Sequence, residues 1–392
     1  MTESRTRSIP LAQAQPSRLA FLDGLRAVAA TYVLLHHTFL TVYPQAPAGG
    51  AMGSATNWLE YGDYGVTLFI VVSGYSLMLS PLGNGLRLRG GVSTFFRRRF
   101  LRIVPAYWAA LLISTILTLT VISVWTGTHW DVSLPVTWDS VVVHALLLQD
   151  FFGAAGINHV FWSVAIEWHI YFLFPLLLLL WRKRAMGWTT AVIVAVSTTV
   201  ALIVAALLPP WSGDPAFFLW FNYLGCFTLG AAAARISRND GVVTIRGTLR
   251  RPNWLLLTVL GILATALAHH FLYAQALDTT LFGITATLLL VALSTGQISW
   301  LRWMLQRRAL IWVGIASYSL YLLHAPIIQL VWQYLLFPLG LDIGEGATFL
   351  VLAPISLALS LAAARASYVL VERPFLPKST RRAEAEEIAQ PQ

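Results

Sequence analysis

Three ionisable side chains sit inside apolar runs long enough to cross a bilayer, where charge is costly and each such group is a functional candidate by default: His37, Glu167 and His324. The first run reads FLDGLRAVAATYVLLHHTFL and carries Arg26 and His37 eleven residues apart. On an α-helix that separation is about three turns plus roughly 20°, so both project from one face about 16 Å apart along the axis, while His36 points elsewhere. The fourth run, HVFWSVAIEWHIYFLFP, carries Glu167 with Ser163 and Tyr171 four residues to either side on the same face, and His169 on the opposite one. His37 and Glu167 lie at similar depth, about 9 and 10 Å below the outer ends of two helices running in opposite directions. Pairing would relieve the cost of burying each alone. Such a pair suits general base catalysis: a neutral imidazole accepts a hydroxyl proton near physiological pH, and a carboxylate orients it and stabilises its cationic form. His324, in SYSLYLLHAPII, stands beside Pro326, which frees a backbone carbonyl and bends the helix. Bland readings stay open for each residue singly. Arg26 also fits an inner-boundary arginine, His37 a packed histidine, and His324 a histidine bonded to the freed backbone.

Other chemistries have less support. No HExxH or HxxxH spacing occurs, and the adjacent pairs His36/His37 and His269/His270 face different ways, so no metal and no bound cofactor is expected. Cys226 is the only cysteine and lies in an apolar run, which excludes a disulfide within the chain. A G-x-S-x-G nucleophile elbow is absent.

The elements that must position these groups follow from composition. Of 392 residues, 57% are hydrophobic and 11% charged, against about 25% charged in soluble proteins. The expected fold class is an all-α integral membrane protein with about ten transmembrane helices. These fall near 23–43, 64–80, 103–125, 160–181, 188–208, 216–234, 254–272, 280–298, 309–336 and 347–370. A polar tail over 1–20, a membrane domain over 21–375 and a second tail over 376–392 complete the layout. The polar N-terminus argues against a cleaved signal peptide. All 26 basic residues fall at alternate breaks, and the intervening five breaks hold none. Positive charge marks the cytoplasmic side, so both termini are expected there. The net charge of +9 is explained by that orientation and by anionic lipid, not by nucleic acid. Arginine outnumbers lysine 24 to two, with much alanine, which suggests a GC-rich bacterial genome and hence a bacterial cytoplasmic (inner) membrane.

Six segments carry a resemblance. LDGLRAVAATYVLLHH, GVTLFIVVSGYSLMLS, FFRRRFLRIVPAYW, WSVAIEWHIYFLFP, SYSLYLLHAPI and SYVLVERPF occur in an order that resembles the acyltransferase-3 family, with Tyr75 where the family usually has phenylalanine. The chain stops about 18 residues after Pro374, so it resembles the minimal form without an appended esterase-like domain. The resemblance implies acyl transfer from cytoplasmic acyl-CoA, as co-substrate, to a hydroxyl of a glycan or of a secondary metabolite such as a macrolide.

On that footing His37 is the expected general base, supported by Glu167. Arg26, Arg98, Arg99 and Arg102 are the expected donor-binding cations, since guanidinium groups make charge-assisted bonds to phosphates. Ser73, Tyr75, Ser163, Tyr171 and His324 are the expected substrate-pocket residues. The aromatic outer segment from Trp125 to His159 is the expected acceptor platform, with VVVHALLLQDFF as a surface or re-entrant helix. An acyl-histidine intermediate is equally compatible with these residues. A proton-coupled transporter is the rival class, against which stands the lack of an internal repeat. A non-catalytic scaffold would leave the buried His and Glu unexplained.

Overall fold

The computed structural model describes residues 19–44, 50–152, 156–207, 216–245, 247–272, 274–339 and 344–389. Ten long helices carry the architecture: α1 (Ala20–Val42), α2 (Asp63–Leu82), α3 (Gly91–Thr120), α4 (Trp162–Lys183), α5 (Met186–Leu207), α6 (Ala216–Arg238), α7 (Trp254–Leu272), α8 (Gln275–Ser294), α9 (Ser317–Val331) and α10 (Gly344–Ser367). Nine helices among the described residues are long and apolar enough to span a bilayer. The tenth expected span is helical as well: it is α6, the first residues of which have no described side chains. The chain is an all-α membrane protein, its only strands in the described residues being a hairpin of Val243–Ile245 with Thr248–Arg250.

Two helices organise the packing. α1 packs against α2, α9 and α10, and α6 against α2, α4, α5 and α8. By contrast α5 and α7 are mostly unburied, and α7 turns Leu255, Leu256, Val259, Leu260, Ile262 and Leu263 outward. Such a surface is stable only against lipid tails, where a helix that satisfies its own backbone can stand exposed. Between helices in lipid there is little hydrophobic driving force, so close backbone approach matters more. α2 and α6 achieve it with paired glycines. A Cβ on Gly74 would stand 2.1 Å from the Phe227 carbonyl oxygen, and one on Gly230 only 1.9 Å from that of Val71. The glycine of the SGY segment is therefore a packing requirement. Gly74→Ala should lower the thermal midpoint in detergent by forcing the two helices apart, at a cost of about 1–3 kcal/mol.

The expected single span over 309–336 is corrected. It breaks at Ala316 into a short helix, Arg308–Ile315, and α9, which runs on through a π-helical turn, Trp332–Leu336. Twenty-eight residues would extend about 42 Å as one helix, well beyond the roughly 30 Å apolar core of a bilayer. The outer segment folds into short pieces over the bundle, including the helices Trp138–Ala145 and Gln149–Phe152. Trp138, Val142, Leu146, Phe151 and Phe152 are exposed there, as expected of a helical segment lying at the interface.

Candidate active site

α1 links two chambers stacked along the bundle. The first surrounds Arg26 and has a volume of about 820 Å³ counted to its open mouth. Arg26 donates to Asp23 Oδ1 at 2.9 Å and to Ser76 Oγ at 2.8 Å, so its fork is fixed by its own helix and by α2. Across the chamber, α4 presents Glu167 and Tyr171 one turn apart. The Tyr171 hydroxyl donates to Glu167 Oε1, leaving its oxygen to accept from Ser73 Oγ at 2.9 Å. α3 adds Arg99 and Arg102, three residues apart on one face, and Arg99 lies beside both Tyr171 and Glu167. The Arg99 Nε is buried with no hydrogen-bond partner among the described residues. A buried donor of this kind is costly unless a ligand meets it. Three guanidinium groups, four serines (Ser73, Ser76, Ser163 and Ser317) and two tyrosines of α9, Tyr318 and Tyr321, thus converge on one space.

The second chamber is a cluster of imidazoles. His324 Nδ1 lies 2.7 Å from the Tyr321 carbonyl, which can only accept, so Nδ1 carries the hydrogen and Nε2 accepts. His37 Nδ1 lies 3.0 Å from that Nε2 and 3.0 Å from the Val33 carbonyl, so it too must be the donor. The consequence is a His37 Nε2 with a free lone pair. It faces a small cavity of about 10 Å³, room for about one water molecule, lined by His129, His159, Thr41 and Gln329. The His37 and His159 ring centroids are 4.9 Å apart, and those of His129 and His159 4.7 Å.

Local chemistry explains how the outer segment delivers these rings. Pro326 has no N–H, so the Leu322 carbonyl loses its helical partner. Asn158 Nδ2 fills the vacancy at 3.1 Å and also donates to Ser114 Oγ at 3.2 Å, while Asn158 Oδ1 accepts from Val160 N at 3.3 Å. Asn158 is fully buried, and the residue it fixes is His159. On the other flank Gln329 of α9 accepts from Thr128 and donates to Thr126, at 3.0 and 3.1 Å, anchoring the turn that carries His129. Replacing Asn158 by leucine should destabilise the fold by about 1–3 kcal/mol for each buried group left unpaired. It should also lower activity, measurable as a lower thermal midpoint and a lower turnover in the same sample.

Residues 19–365 match the acyltransferase-3 family, described as an acyltransferase domain. The chain belongs to that family. It is 28% identical over 337 residues to YrhL of Bacillus subtilis (strain 168), provisionally named a peptidoglycan O-acetyltransferase, which covers 79% of this chain and 48% of that protein. It is 29% identical over 345 residues to the acyltransferase MdmB of Streptomyces mycarofaciens, covering 80% of this chain and 79% of MdmB. The peptidoglycan O-acetyltransferase OatA of Listeria monocytogenes is 24% identical over 338 residues, covering 79% of this chain and 49% of OatA. The chain therefore spans about half the length of two of these relatives. No solved structure matches it.

Several expected site residues come together and others do not. Arg26, Arg99, Arg102, Ser73, Ser163, Glu167 and Tyr171 line one chamber. His37 and His324 meet each other in the next. The expected His37–Glu167 pair is not made: Glu167 bonds Tyr171 in the arginine chamber, and His324 takes the place beside His37. Tyr75 does not line the chamber of Ser73, because two residues along a helix turn the side chain about 200° away. It borders a separate recess with Ser237, Ser294 and Arg238. Arg98 is exposed and outside the chamber, about 100° around α3 from Arg99. Sequence reasoning missed Asp23, which sits one turn from Arg26 in the same LDGLR segment, and also Ser76, Tyr318 and Tyr321. His129 and His159 gave no spacing signal, since each reaches the cluster from a loop.

Proposed function

We propose that this chain is a membrane O-acyltransferase that moves an acyl group from acyl-CoA to a hydroxyl of a glycan or similar acceptor, with His37 as general base. The observation that carries the reading is the state of His37: Nδ1 is committed to His324 and Val33, and the free Nε2 lone pair faces a cavity. In this reading the CoA phosphates bind the arginine chamber, where the orphaned Arg99 Nε and the fixed fork of Arg26 await anionic oxygens. The slender pantetheine arm then carries the thioester past Phe69 and Tyr321 towards His37, which stands about 16 Å along α1 from Arg26.

The steps balance without a cofactor. His37 Nε2 takes the acceptor hydroxyl proton as the oxygen attacks the thioester carbonyl. The tetrahedral centre collapses, the C–S bond breaks, and the CoA thiolate leaves and recovers the proton from His37. While His37 is cationic, its Nδ1–H to His324 Nε2 strengthens as a charge-assisted bond, which lowers the cost of forming the cation. His324 thus performs the orienting role expected of Glu167. Glu167 and Tyr171 instead form part of the donor chamber, where the carboxylate balances Arg99.

The distribution of basic residues supports an inner position for the arginine chamber, since positive charge favours the cytoplasmic side. The relatives named for peptidoglycan favour a glycan acceptor, and a macrolide-type alcohol is the second substrate to try. Purified protein supplied with labelled acyl-CoA tests the reading. CoA release should depend on an added hydroxyl acceptor and label should pass to that acceptor. A proton-coupled transporter would release none.

A further inference from the structure

Three of the imidazoles around the His37 cavity have the arrangement of a metal site. One nitrogen from each of His37, His129 and His159 lies within 4.8 Å of the others. His37 offers Nε2, because its Nδ1 is used. His159 Nδ1 lies 2.9 Å from Ser133 Oγ, while its Nε2 is buried and has no partner among the described residues. His129 makes no hydrogen bond through its ring among the described residues. In His37 and His159 one ring nitrogen is thus spoken for and the other is not, which is the support metal-binding histidines use, a bond on the far side of the ring. His129 has no such bond among the described residues.

We propose that His37, His129 and His159 form a site for a divalent transition-metal ion of the zinc type, and that its occupation stops acyl transfer by engaging the His37 Nε2 lone pair. The claim about transfer rests on His37 being the base; the claim about binding does not. Three neutral imidazoles with an open fourth position match the borderline-soft ions and not magnesium or calcium, which demand oxygen ligands. Zinc–nitrogen bonds of about 2.0–2.1 Å put tetrahedral ligand atoms about 3.4 Å apart, so separations of up to 4.8 Å must contract by up to about 1.4 Å. His129 and His159 stand on 3-10 turns anchored by Gln329 and Asn158, so that movement falls on rotation of the two rings about their side-chain bonds. Spacing along the sequence gave no metal motif because the three ligands come from three separate segments.

The test uses purified full-length protein, first stripped with a chelator. Zinc binding is measured by equilibrium dialysis with elemental analysis, and site geometry by the visible absorption of bound Co²⁺. The expected result is one zinc ion per chain, Co²⁺ bands of a tetrahedral site, and transfer that falls as zinc approaches one equivalent and returns on chelation. His129→Gln should lose the ion, and whatever transfer rate it retains should no longer respond to zinc. His159→Gln should also lose the ion and serves as a second variant. Zinc bound equally by wild type and both variants would overturn the site. Bound zinc that leaves transfer unchanged, or stripped protein that is inactive until zinc is restored, would overturn the blocking role. Failure of the base reading shows separately, as transfer retained in His37→Ala after its zinc is lost.

Discussion

Replacing His37 by alanine should reduce acyl transfer about 10²- to 10⁴-fold, the range by which a positioned general base accelerates proton transfer. The protein should still fold and insert. His37 is half-buried at the edge of a small cavity, and its removal leaves one acceptor, His324 Nε2, without its donor. That loss costs about 1–3 kcal/mol, which an intact size-exclusion profile and circular dichroism spectrum would show to be tolerated. His324→Gln should give an intermediate phenotype, because an amide can still accept from His37 but stabilises the cation less well. A rate near wild type in His37→Ala would remove the imidazole from the chemistry.

The second large effect is expected at Arg99. Its guanidinium lies beside Tyr171 and Glu167 inside the chamber, with Nε unpartnered among the described residues. Arg99→Met leaves the half-buried Glu167 carboxylate with less compensating charge, an electrostatic loss that lowers stability. The thermal midpoint should fall and KM for the acyl donor should rise. Adding Glu167→Gln removes the stranded charge, so the double variant should recover most of the stability. It should not recover donor affinity, because the phosphate-facing cation is still missing. Stability and KM returning together would reduce Arg99 to a structural role, and neither returning would mean that the two side chains are not coupled.

How far these sites were legible in the sequence depends on whether a residue's position is set by its own helix. Periodicity set the relative direction of Arg26 and His37, since eleven residues on one α-helix leave no freedom there, but the two line separate chambers. The same rule separates Ser73 from Tyr75 and Arg99 from Arg98. Depth was the wrong guide for Glu167. It fixes height in the membrane but says nothing of the direction a helix faces, and α4 turns Glu167 towards Arg99 and away from His37. His129 and His159 were beyond reach, because their placement depends on Gln329 and Asn158 bonding across more than 160 residues of chain. The broken span over 309–336 was readable from length alone.

The central claim is that one bundle joins a donor bound at the arginine-lined face to an acceptor bound at the histidine-lined face. Proteoliposomes holding the protein in one orientation, with acyl-CoA confined to one side and a hydroxyl acceptor to the other, test it directly. Acylated acceptor should form when acyl-CoA is on the side of the arginine-rich loops and the acceptor opposite, and not when the two are exchanged. Product formed only with both substrates on the arginine-rich side would contradict the two-faced site.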